Sequence, residues 1–217
     1  MKATLRDAGI IHLRRNDLVM KGVIRRVGPC GLRLRRDRFH MLVRSILSQQ
    51  ISGHAARAIR ERLEGLVAPE PLTSQNMAAM SVVQLRAVGI SAQKAAYLLS
   101  LAQKVRDGEL PLNMLGRLPD EAVIEQLIQV KGIGVWTAQM FLIFSLGRPD
   151  VLPCDDLGIR QAIRQLYNLA ELPDKKVSTR IAEPWRPYAS IASWYCWRSL
   201  ELAKADAAKT KQTEPRA

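Results

Sequence analysis

Two adjacent carboxylates, Asp155 and Asp156, follow Pro153 in the segment VLPCDDLGIR. In a site shielded from water, a carboxylate can stabilise positive charge that develops during a reaction, and it can orient or deprotonate a water molecule. Aspartate is also a good N-cap, and the residues from Leu157 onwards have helical spacing. The pair therefore predicts either catalysis or a capped helix, and this segment alone does not choose between them.

Gly132 and Gly134 lie one residue apart in the segment VKGIGVWTA. Glycine permits positive φ angles and lets backbone N–H groups approach an anion closely, and a following helix places its positive end at the same point. Together with the backbone N–H of Thr137, the two glycines could bind one phosphate group without any side chain. Tight turns between packed helices also use glycine, so a purely structural turn is the alternative.

The segments on both sides of these glycines are predicted to be helices. Upstream, Pro119 suits the start of a helix, acidic residues follow it, and apolar residues recur at helical spacing as far as Ile128. Downstream, VWTAQMFLIFSLG is apolar on nearly every side, which predicts a helix that is buried all round and ends at Gly147. The sequence thus predicts a helix, a glycine hairpin and a second helix before the aspartate pair.

The remainder of the chain also has helical periodicity. FHMLVRSILSQQISGHAARAIRERLEGL divides into two helices with a break near Ser52 and Gly53, and LRAVGISAQKA has the pattern of a weaker second hairpin. No segment shows the alternation typical of a strand, so we predict an all-α architecture. Residues 205–217 are polar and charged, and we predict that they form a disordered tail.

The chain is strongly basic, with 33 Lys and Arg against 20 Asp and Glu and a formal net charge of +13. Such an excess favours a polyanionic partner, most often nucleic acid, although ribosome-associated and merely basic proteins share it. The arginines of residues 1–37 are either a solvated surface or direct contacts to that partner. Because the sequence has no membrane-spanning stretch and no signal-peptide core, we expect an intracellular location, in the cytoplasm or nucleoid.

The three cysteines, Cys30, Cys154 and Cys196, are widely separated and form no CxxC pair. Three thiols cannot supply a four-cysteine iron–sulfur cluster or a four-cysteine zinc site. We therefore expect no iron–sulfur cluster and no metal bound by side chains, and the expected intracellular location argues against a disulfide framework.

Three segments together resemble a known family. KGIGVWTA, the stretch from Pro153 to Asp156 and PWRPYASIASWY are similar to the helix-hairpin-helix (HhH-GPD) DNA glycosylase superfamily, and the last of them resembles its alkylation-repair branch. The resemblance covers roughly residues 20–200. Lys131 replaces the proline that is usual in the family, a departure that should leave the turn intact because the glycines make the bend.

The resemblance implies a fold of two α-helical lobes with the active site in the cleft between them. One lobe would consist of residues 38–148 and would carry the helix-hairpin-helix. The other would be formed by both ends of the chain, residues 1–37 and 149–217.

The resemblance also implies a role for each candidate side chain. Asp156 would be the catalytic residue, while Asp155 would cap the helix or support its neighbour. Gln50 would enter the minor groove, in the gap left by an extruded base. Two further groups are assigned, a base pocket formed by Trp136, Trp194, Met140 and Gln49, and contacts to the DNA backbone made by Lys131, Gly132, Gly134 and Thr137.

Several of these assignments have a structural alternative. Paired glutamines at a helix junction are usually solvent-exposed polar residues. Tryptophans at helical spacing are usually part of the core, which is the interpretation we favour for Trp185 and Trp197.

Trp136 bears on the mechanism. Relatives that also nick the DNA strand carry a lysine at this position, whose amine forms a Schiff base with the sugar. Tryptophan cannot act in this way, but it can stack on a flipped, positively charged base. The resemblance therefore predicts a monofunctional glycosylase for alkylated purines such as 3-methyladenine and 7-methylguanine. The alternatives are the same scaffold acting on neutral lesions or mismatches, and a non-catalytic DNA-binding module.

The expected partner is double-stranded DNA that contains damaged bases, bound by a monomer. No cofactor is required for this chemistry. A structural monovalent cation could lie at the hairpin, bound by the main-chain carbonyls of Ile128, Val130 and Ile133.

Overall fold

The computed structural model describes residues 3–213, and these residues form twelve α-helices joined by short turns. No strand occurs in this part of the chain, so the predicted all-α class is confirmed. Close contacts divide the chain into two compact units: unit 1 combines Met1–Leu34 with Gly147–Ala217, and unit 2 is Arg35–Leu146. Within the described residues, no helix is both long enough and apolar enough to cross a membrane.

In chain order the helices are α1 (Ala3–Asn16), α2 (Leu18–Val27), α3 (Arg38–Ser48), α4 (Gly53–Gly65), α5 (Ser74–Ala78), α6 (Val82–Ala87), α7 (Ala92–Arg106), α8 (Asp120–Ile128), α9 (Val135–Phe141), α10 (Leu157–Leu166), α11 (Lys175–Ile181) and α12 (Ala189–Thr213). Two 3₁₀ turns, Leu115–Arg117 and Glu183–Trp185, lie between them, and a π-helical turn, Leu142–Leu146, follows α9 directly.

The core of unit 2 is formed by one apolar face from each of its longer helices. In α3, Leu42, Ile46 and Leu47 are buried on one side, and α7 contributes Leu98 and Leu101. α3 packs against α4, α7 and α9, and α8 packs against α9. Because α3 leads into the paired glutamines and α8 and α9 flank the glycine hairpin, this packing fixes the two candidate segments relative to each other.

A buried aspartate joins three parts of unit 1. Asp17 Oδ1 accepts the backbone N–H of Met20 (3.0 Å) and so caps α2, while Oδ2 accepts hydrogen bonds from Trp185 Nε1 (2.9 Å) and the Tyr167 hydroxyl. Burial and the neighbouring Asp17 carboxylate raise the pKa of Tyr167, which therefore remains a donor. Trp185 is fully buried, as predicted for a core tryptophan.

The boundary between the units falls at residues 35 and 146. Arg35 donates its backbone N–H to the carbonyl of Phe144 (2.7 Å), which ties the start of unit 2 to its end. The Ser190 hydroxyl donates to the carbonyl of Arg148 (2.7 Å), which ties the residues after Gly147 to α12. The limits implied by the resemblance were 38 and 148, since hydrogen bonds between segments so far apart leave no local pattern.

The segment from Ala205 to Thr213 is helical, so the predicted disordered tail is wrong for these residues. The segment continues α12 without interruption, and Asp206 forms an ion pair with Arg26 (2.5 Å). Alanine and lysine are strong helix formers, and an existing helix can be extended without new nucleation, so low apolar content does not end it. Residues 214–217 of that prediction lie outside the described residues.

The helical segment after the hairpin is less completely buried than predicted. Ala138, Phe141 and Ile143 have no exposed surface, whereas Val135 and Trp136 are 45% and 42% exposed. The first turn of α9 therefore presents an indole ring at the surface of unit 2, which the uniformly apolar composition of the segment hides. Gly147, with φ +70°, ends the segment as predicted.

Candidate active site

The hairpin between α8 and α9 contains one glycine that the fold itself requires. Gly132 has φ +86°, in the left-handed region that favours glycine. A Cβ atom added there would lie 2.2 Å from Cδ2 of Tyr97, so the ring of this α7 residue packs directly on the bare Cα. Gly132 is thus explained by conformation and packing within unit 2.

Gly134 is different, since its backbone is extended (φ −99°, ψ 176°) and an added Cβ would meet no atom within 4 Å. It is the N-cap of α9 and has no side chain to bind the N–H groups of the first turn. Those groups belong to Val135, Trp136 and Thr137. Gly134 therefore leaves open space in front of the positive end of a helix, and Lys131 is exposed nearby in the same turn.

The paired glutamines follow the end of α3 and are held by unit 2 itself. The Gln49 amide donates to the carbonyl of Gly132 (2.8 Å). From α7, the Lys94 ammonium donates to the carbonyls of Leu47 (2.8 Å) and Gln49 (2.7 Å), and burial lowers the pKa of Lys94. These bonds join the glutamine segment to the glycine hairpin, a connection that no local sequence pattern predicts.

Gln50 is exposed and has φ +56°, a left-handed conformation that is uncommon for residues other than glycine. Such a conformation costs free energy and persists only where the surroundings impose it, often at functional sites. The bonds made by Gln49 and Lys94 provide that restraint.

A cavity of about 540 Å³ lies within unit 2 beside Trp136 and Met140, two residues predicted for the base pocket. Gln49 is not part of its lining, because its amide is directed to the hairpin. The cavity wall mixes apolar and cationic side chains, with Met41, Leu47, Ala56 and Phe144 beside Arg35, Arg44, Arg57 and Arg60.

In unit 1, Asp156 is the N-cap of α10, so the prediction that Asp155 caps this helix is wrong. Asp156 Oδ1 accepts the backbone N–H of Ile159 (2.8 Å) and the indole N–H of Trp197 (3.0 Å). A capping side chain reaches the N–H three residues ahead, and since α10 begins at Leu157, Asp155 lies one residue too early. The carboxylate that the sequence assigns to catalysis is thus held at the positive end of a helix.

Two residues that position Asp156 were missed as functional candidates. Trp197 was assigned to the core, yet it is only half-buried and donates to the carboxylate. Gly158 has its bare Cα next to both groups, since an added Cβ would lie 2.9 Å from Asp156 Oδ1 and 3.2 Å from Trp197 Cδ1. The spacing of the two tryptophans could have indicated a functional role for Trp197, because this residue follows Trp194 by three positions and so shares its side of α12.

Trp194 is half-buried, with its ring edge-on to Tyr195 at a centroid distance of 5.0 Å. Gly31 lies against it, and a Cβ at Gly31 would be 3.3 Å from Trp194 Cζ2. Gly31 belongs to a segment without regular secondary structure that is anchored by the buried side chains of Cys30 and Leu32. The exposed part of the Trp194 ring remains available for contact with a ligand.

No group of three or more His, Cys, Asp or Glu side chains that could hold a metal ion occurs among the residues described. The three cysteines are buried free thiols, and Cys154 Sγ lies 3.3 Å from Thr179 Oγ1. Burial raises the pKa of Cys30 and Cys196, which keeps both thiols protonated.

A glycine hairpin between two helices is followed in the chain by a helix-capping aspartate and by two tryptophans on the last helix, as the resemblance to helix-hairpin-helix proteins implied. Residues 43–187 match the HhH-GPD superfamily of base excision DNA repair proteins, and the chain belongs to this family. The resemblance seen in the sequence is therefore confirmed.

Relatives that match this chain include proteins named as 3-methyladenine glycosylases. The chain is 36% identical to DNA-3-methyladenine glycosylase 1 of Schizosaccharomyces pombe, over 89% of this chain and 87% of that protein. It is 30% identical to DNA-3-methyladenine glycosylase 2 of Escherichia coli, over 86% and 68%. The structure of the S. pombe 3-methyladenine DNA glycosylase Mag1 in complex with abasic DNA matches with a TM-score of 0.80, over 90% of this chain and 98% of that one.

Proposed function

We propose that this protein is a DNA glycosylase that hydrolyses the N-glycosidic bond of alkylated purines, among them 3-methyladenine and 7-methylguanine, after flipping the base out of the duplex. Family membership and the named relatives support the reaction class. The observation that carries the proposal is the Asp156 carboxylate, fixed by the Ile159 N–H and the Trp197 indole at the start of α10.

Asp156 is assigned the catalytic role because of the charge that the reaction develops. Breaking the bond to the base passes through an oxocarbenium-like sugar, which a nearby carboxylate stabilises while it orients the attacking water. Two hydrogen bonds to Oδ1 fix the carboxylate at the positive end of α10 and reduce its freedom to reorient. An alkylated purine is already a good leaving group, so no general acid is needed.

Trp136 in unit 2 and Trp194 in unit 1 are each proposed to offer an indole face on which a flipped base can stack. Both rings are partly exposed, and Met140 lies next to Trp136 on the cavity wall. A cationic alkylated purine gains cation–π attraction from an indole, on the order of 1 to 2 kcal/mol. Since Trp136 has no amine to form a Schiff base, we expect base release without strand cleavage.

The DNA backbone is proposed to bind at the hairpin. The open space at Gly134 and the N–H groups of the first turn of α9, including that of Thr137, suit a phosphate, and Lys131 adds positive charge. Gln50, exposed and restrained, is proposed to fill the gap that the flipped base leaves.

A monovalent cation at the carbonyls of Ile128, Val130 and Ile133 is compatible with this arrangement. The Val130 carbonyl accepts the N–H of Ile133 (3.0 Å), and a carbonyl oxygen has a second lone pair. A cation bound there would add positive charge next to the phosphate.

Asp156→Asn tests the proposal. Asparagine keeps the size and the capping ability but removes the negative charge, and losing an electrostatic stabiliser costs about 3 to 4 kcal/mol, so single-turnover base release from methylated duplex DNA should fall roughly 100-fold or more. Duplex affinity should be retained, because DNA is itself anionic. The exposed neighbour provides the matched control, since Asp155→Asn removes the same charge one residue away and should stay close to parent.

The outcomes of this experiment separate the alternatives. An active Asp156→Asn beside an inactive Asp155→Asn would show that the wrong aspartate is assigned. Two fully active variants would mean that neither carboxylate is catalytic, and a parent protein that binds DNA but releases no base would be a DNA-binding module. Parallel duplexes with hypoxanthine and 8-oxoguanine define the lesion range.

Trp194→Ala tests the base pocket. Release of cationic 3-methyladenine and 7-methylguanine should fall more than affinity for an abasic-site duplex, because the abasic product has no base to stack. An equal fall in both quantities would assign Trp194 a structural role.

A further inference from the structure

The cavity of unit 2 has more positive than negative charge in its wall. Four arginines line it, and two carboxylates lie close to them. Glu61 pairs with Arg57 (2.8 Å), and Glu64 is shared between Arg60 (3.4 Å) and His40 (2.8 Å). Both carboxylates are therefore already engaged.

The other two arginines of the wall, Arg35 and Arg44, have no carboxylate within 4.0 Å among the residues that the structure describes. Arg44 is half-buried on α3. Its pKa is lowered by burial and by the positive charges of Arg35 and Arg60, and Glu64 opposes this shift. Like charges gathered in a partly dehydrated cavity destabilise one another, and a bound anion would relieve this cost.

Arg35 is bonded to the end of the helical segment that begins at the hairpin. Trp136, Met140 and Phe144 recur at intervals of four residues, so they form one stripe along the helical segment. Gly134 begins this segment, and Arg35 is bonded to the backbone of Phe144 near its end. At 1.5 Å per residue, the Phe144 backbone to which Arg35 is bonded lies on the order of 15 Å from Gly134.

Guanidinium groups match phosphate in charge and in hydrogen-bonding geometry. Neighbouring phosphates of one DNA strand advance by about 3.4 Å along the helix axis, and a separation on the order of 15 Å is too long for adjacent phosphates. We propose that Arg35, Arg44 and Arg60 form a second phosphate subsite in unit 2, which takes a backbone phosphate of the DNA other than the one at Gly134. This subsite rests on the proposed binding of DNA.

A methylphosphonate scan tests the subsite. Each phosphate of an abasic-site duplex is replaced in turn by a neutral methylphosphonate, and the affinities of the parent, Arg44→Gln and Gly134→Val are measured. One replacement should weaken binding by the parent roughly tenfold and leave Arg44→Gln unaffected, and a different replacement should behave in this way for Gly134→Val. For Arg44→Gln, the slope of log affinity against log salt should fall by about 0.9.

Two further variants separate a phosphate contact from general charge. Arg117→Gln removes an exposed arginine of unit 2 that does not line the cavity. The methylphosphonate replacements that weaken DNA binding by the parent should weaken binding by this variant to the same extent. Arg44→Lys keeps the charge and should retain most of the salt dependence. Thermal unfolding adds a readout, since Arg44→Gln should leave the melting temperature unchanged or raised, whereas a structural arginine would lower it.

The proposal is overturned if no phosphate is found whose replacement weakens binding by the parent but not by Arg44→Gln. It is also overturned if the same phosphate is found for Arg44→Gln and for Gly134→Val. Titration of inorganic phosphate, followed by calorimetry, distinguishes the source of the anion. Binding to the parent and not to Arg44→Gln, without any coupled position in the duplex, would assign the subsite to free phosphate and overturn DNA as its ligand. The scan uses an abasic duplex and needs no chemistry, so failure of the glycosylase assignment would leave this test intact.

Discussion

Unit 2 contains two hairpins of similar sequence, Val88–Ser91 and Lys131–Gly134. In each, a glycine with positive φ is followed by a buried isoleucine and then by the N-cap of the next helix. The φ angles of the two glycines are nearly equal, +92° at Gly89 and +86° at Gly132. The two turns therefore share one backbone design.

The hairpins differ at the N-cap. Ser91 uses its hydroxyl to accept the N–H of Lys94 (3.3 Å), so the first turn of α7 is closed by its own chain. Gly134 has no side chain, and its Cα faces open space. One hairpin is thus a structural support, whose helix provides Lys94 and Tyr97, while the other leaves its N-cap open, as the proposed phosphate site requires.

Among substitutions in the two hairpins, we expect the largest effect at Gly132, on the stability of the protein. Gly132→Ala places a methyl group 2.2 Å from the Tyr97 ring and forces alanine into a left-handed conformation, so the free energy of unfolding should fall by about 2 to 5 kcal/mol. In the matched control, Gly89→Ala, the added methyl group comes close only to the guanidinium of Arg62, at 2.9 Å, and the change should cost about 1 to 2 kcal/mol. Denaturant unfolding measures both, and equal losses would show that the two glycines are equivalent.

The next effect concerns DNA binding at Gly134. Gly134→Val fills the open space in front of α9, and a hydrogen bond to a charged group is worth about 1.5 to 3 kcal/mol, so affinity should fall about tenfold or more. The loss should be similar for damaged and undamaged duplexes, because phosphate contacts position DNA without reading its sequence. Affinity equal to that of the parent at every salt concentration, with the helical content intact by circular dichroism, would remove the hairpin phosphate from the mechanism.

Gly134→Ser converts the open hairpin into the closed design. The introduced hydroxyl should accept the Thr137 N–H, as the Ser91 hydroxyl accepts that of Lys94. The free energy of unfolding should therefore rise by a few tenths of a kcal/mol. DNA affinity should fall severalfold, since the serine competes with phosphate for the same donor. A variant that gains stability and keeps full affinity would show that this N–H does not contact DNA.

The smallest effect is expected from the reciprocal change. Ser91→Gly opens the first turn of α7 and should lower the free energy of unfolding by only a few tenths of a kcal/mol. Because α7 serves unit 2 internally, duplex affinity and its salt dependence should stay at the parental values. A clear loss of affinity would mean that the first hairpin also contacts DNA.

Local patterns in the sequence were sufficient for the helices around the site. Apolar spacing predicted α3, α4, α8 and α9, and the glycine pair predicted the hairpin. The tail was predicted wrongly, since low apolar content was taken as disorder although Ala205–Thr213 extends an existing helix. The exposed first turn of α9 was missed because burial depends on what packs against a helix as well as on its own composition.

The sequence by itself determined the helical class, the hairpin and the short list of carboxylates and tryptophans, because each depends on neighbours a few residues away. Only the tertiary structure decided which glycine packs and which is open, since Tyr97 reaches Gly132 from another helix. The tertiary structure also decided which aspartate of the pair is held in place. Asp156 caps α10 and accepts a hydrogen bond from the indole of Trp197, which is 41 residues away. Contacts between distant segments arise from packing, and no local spacing of residues encodes them.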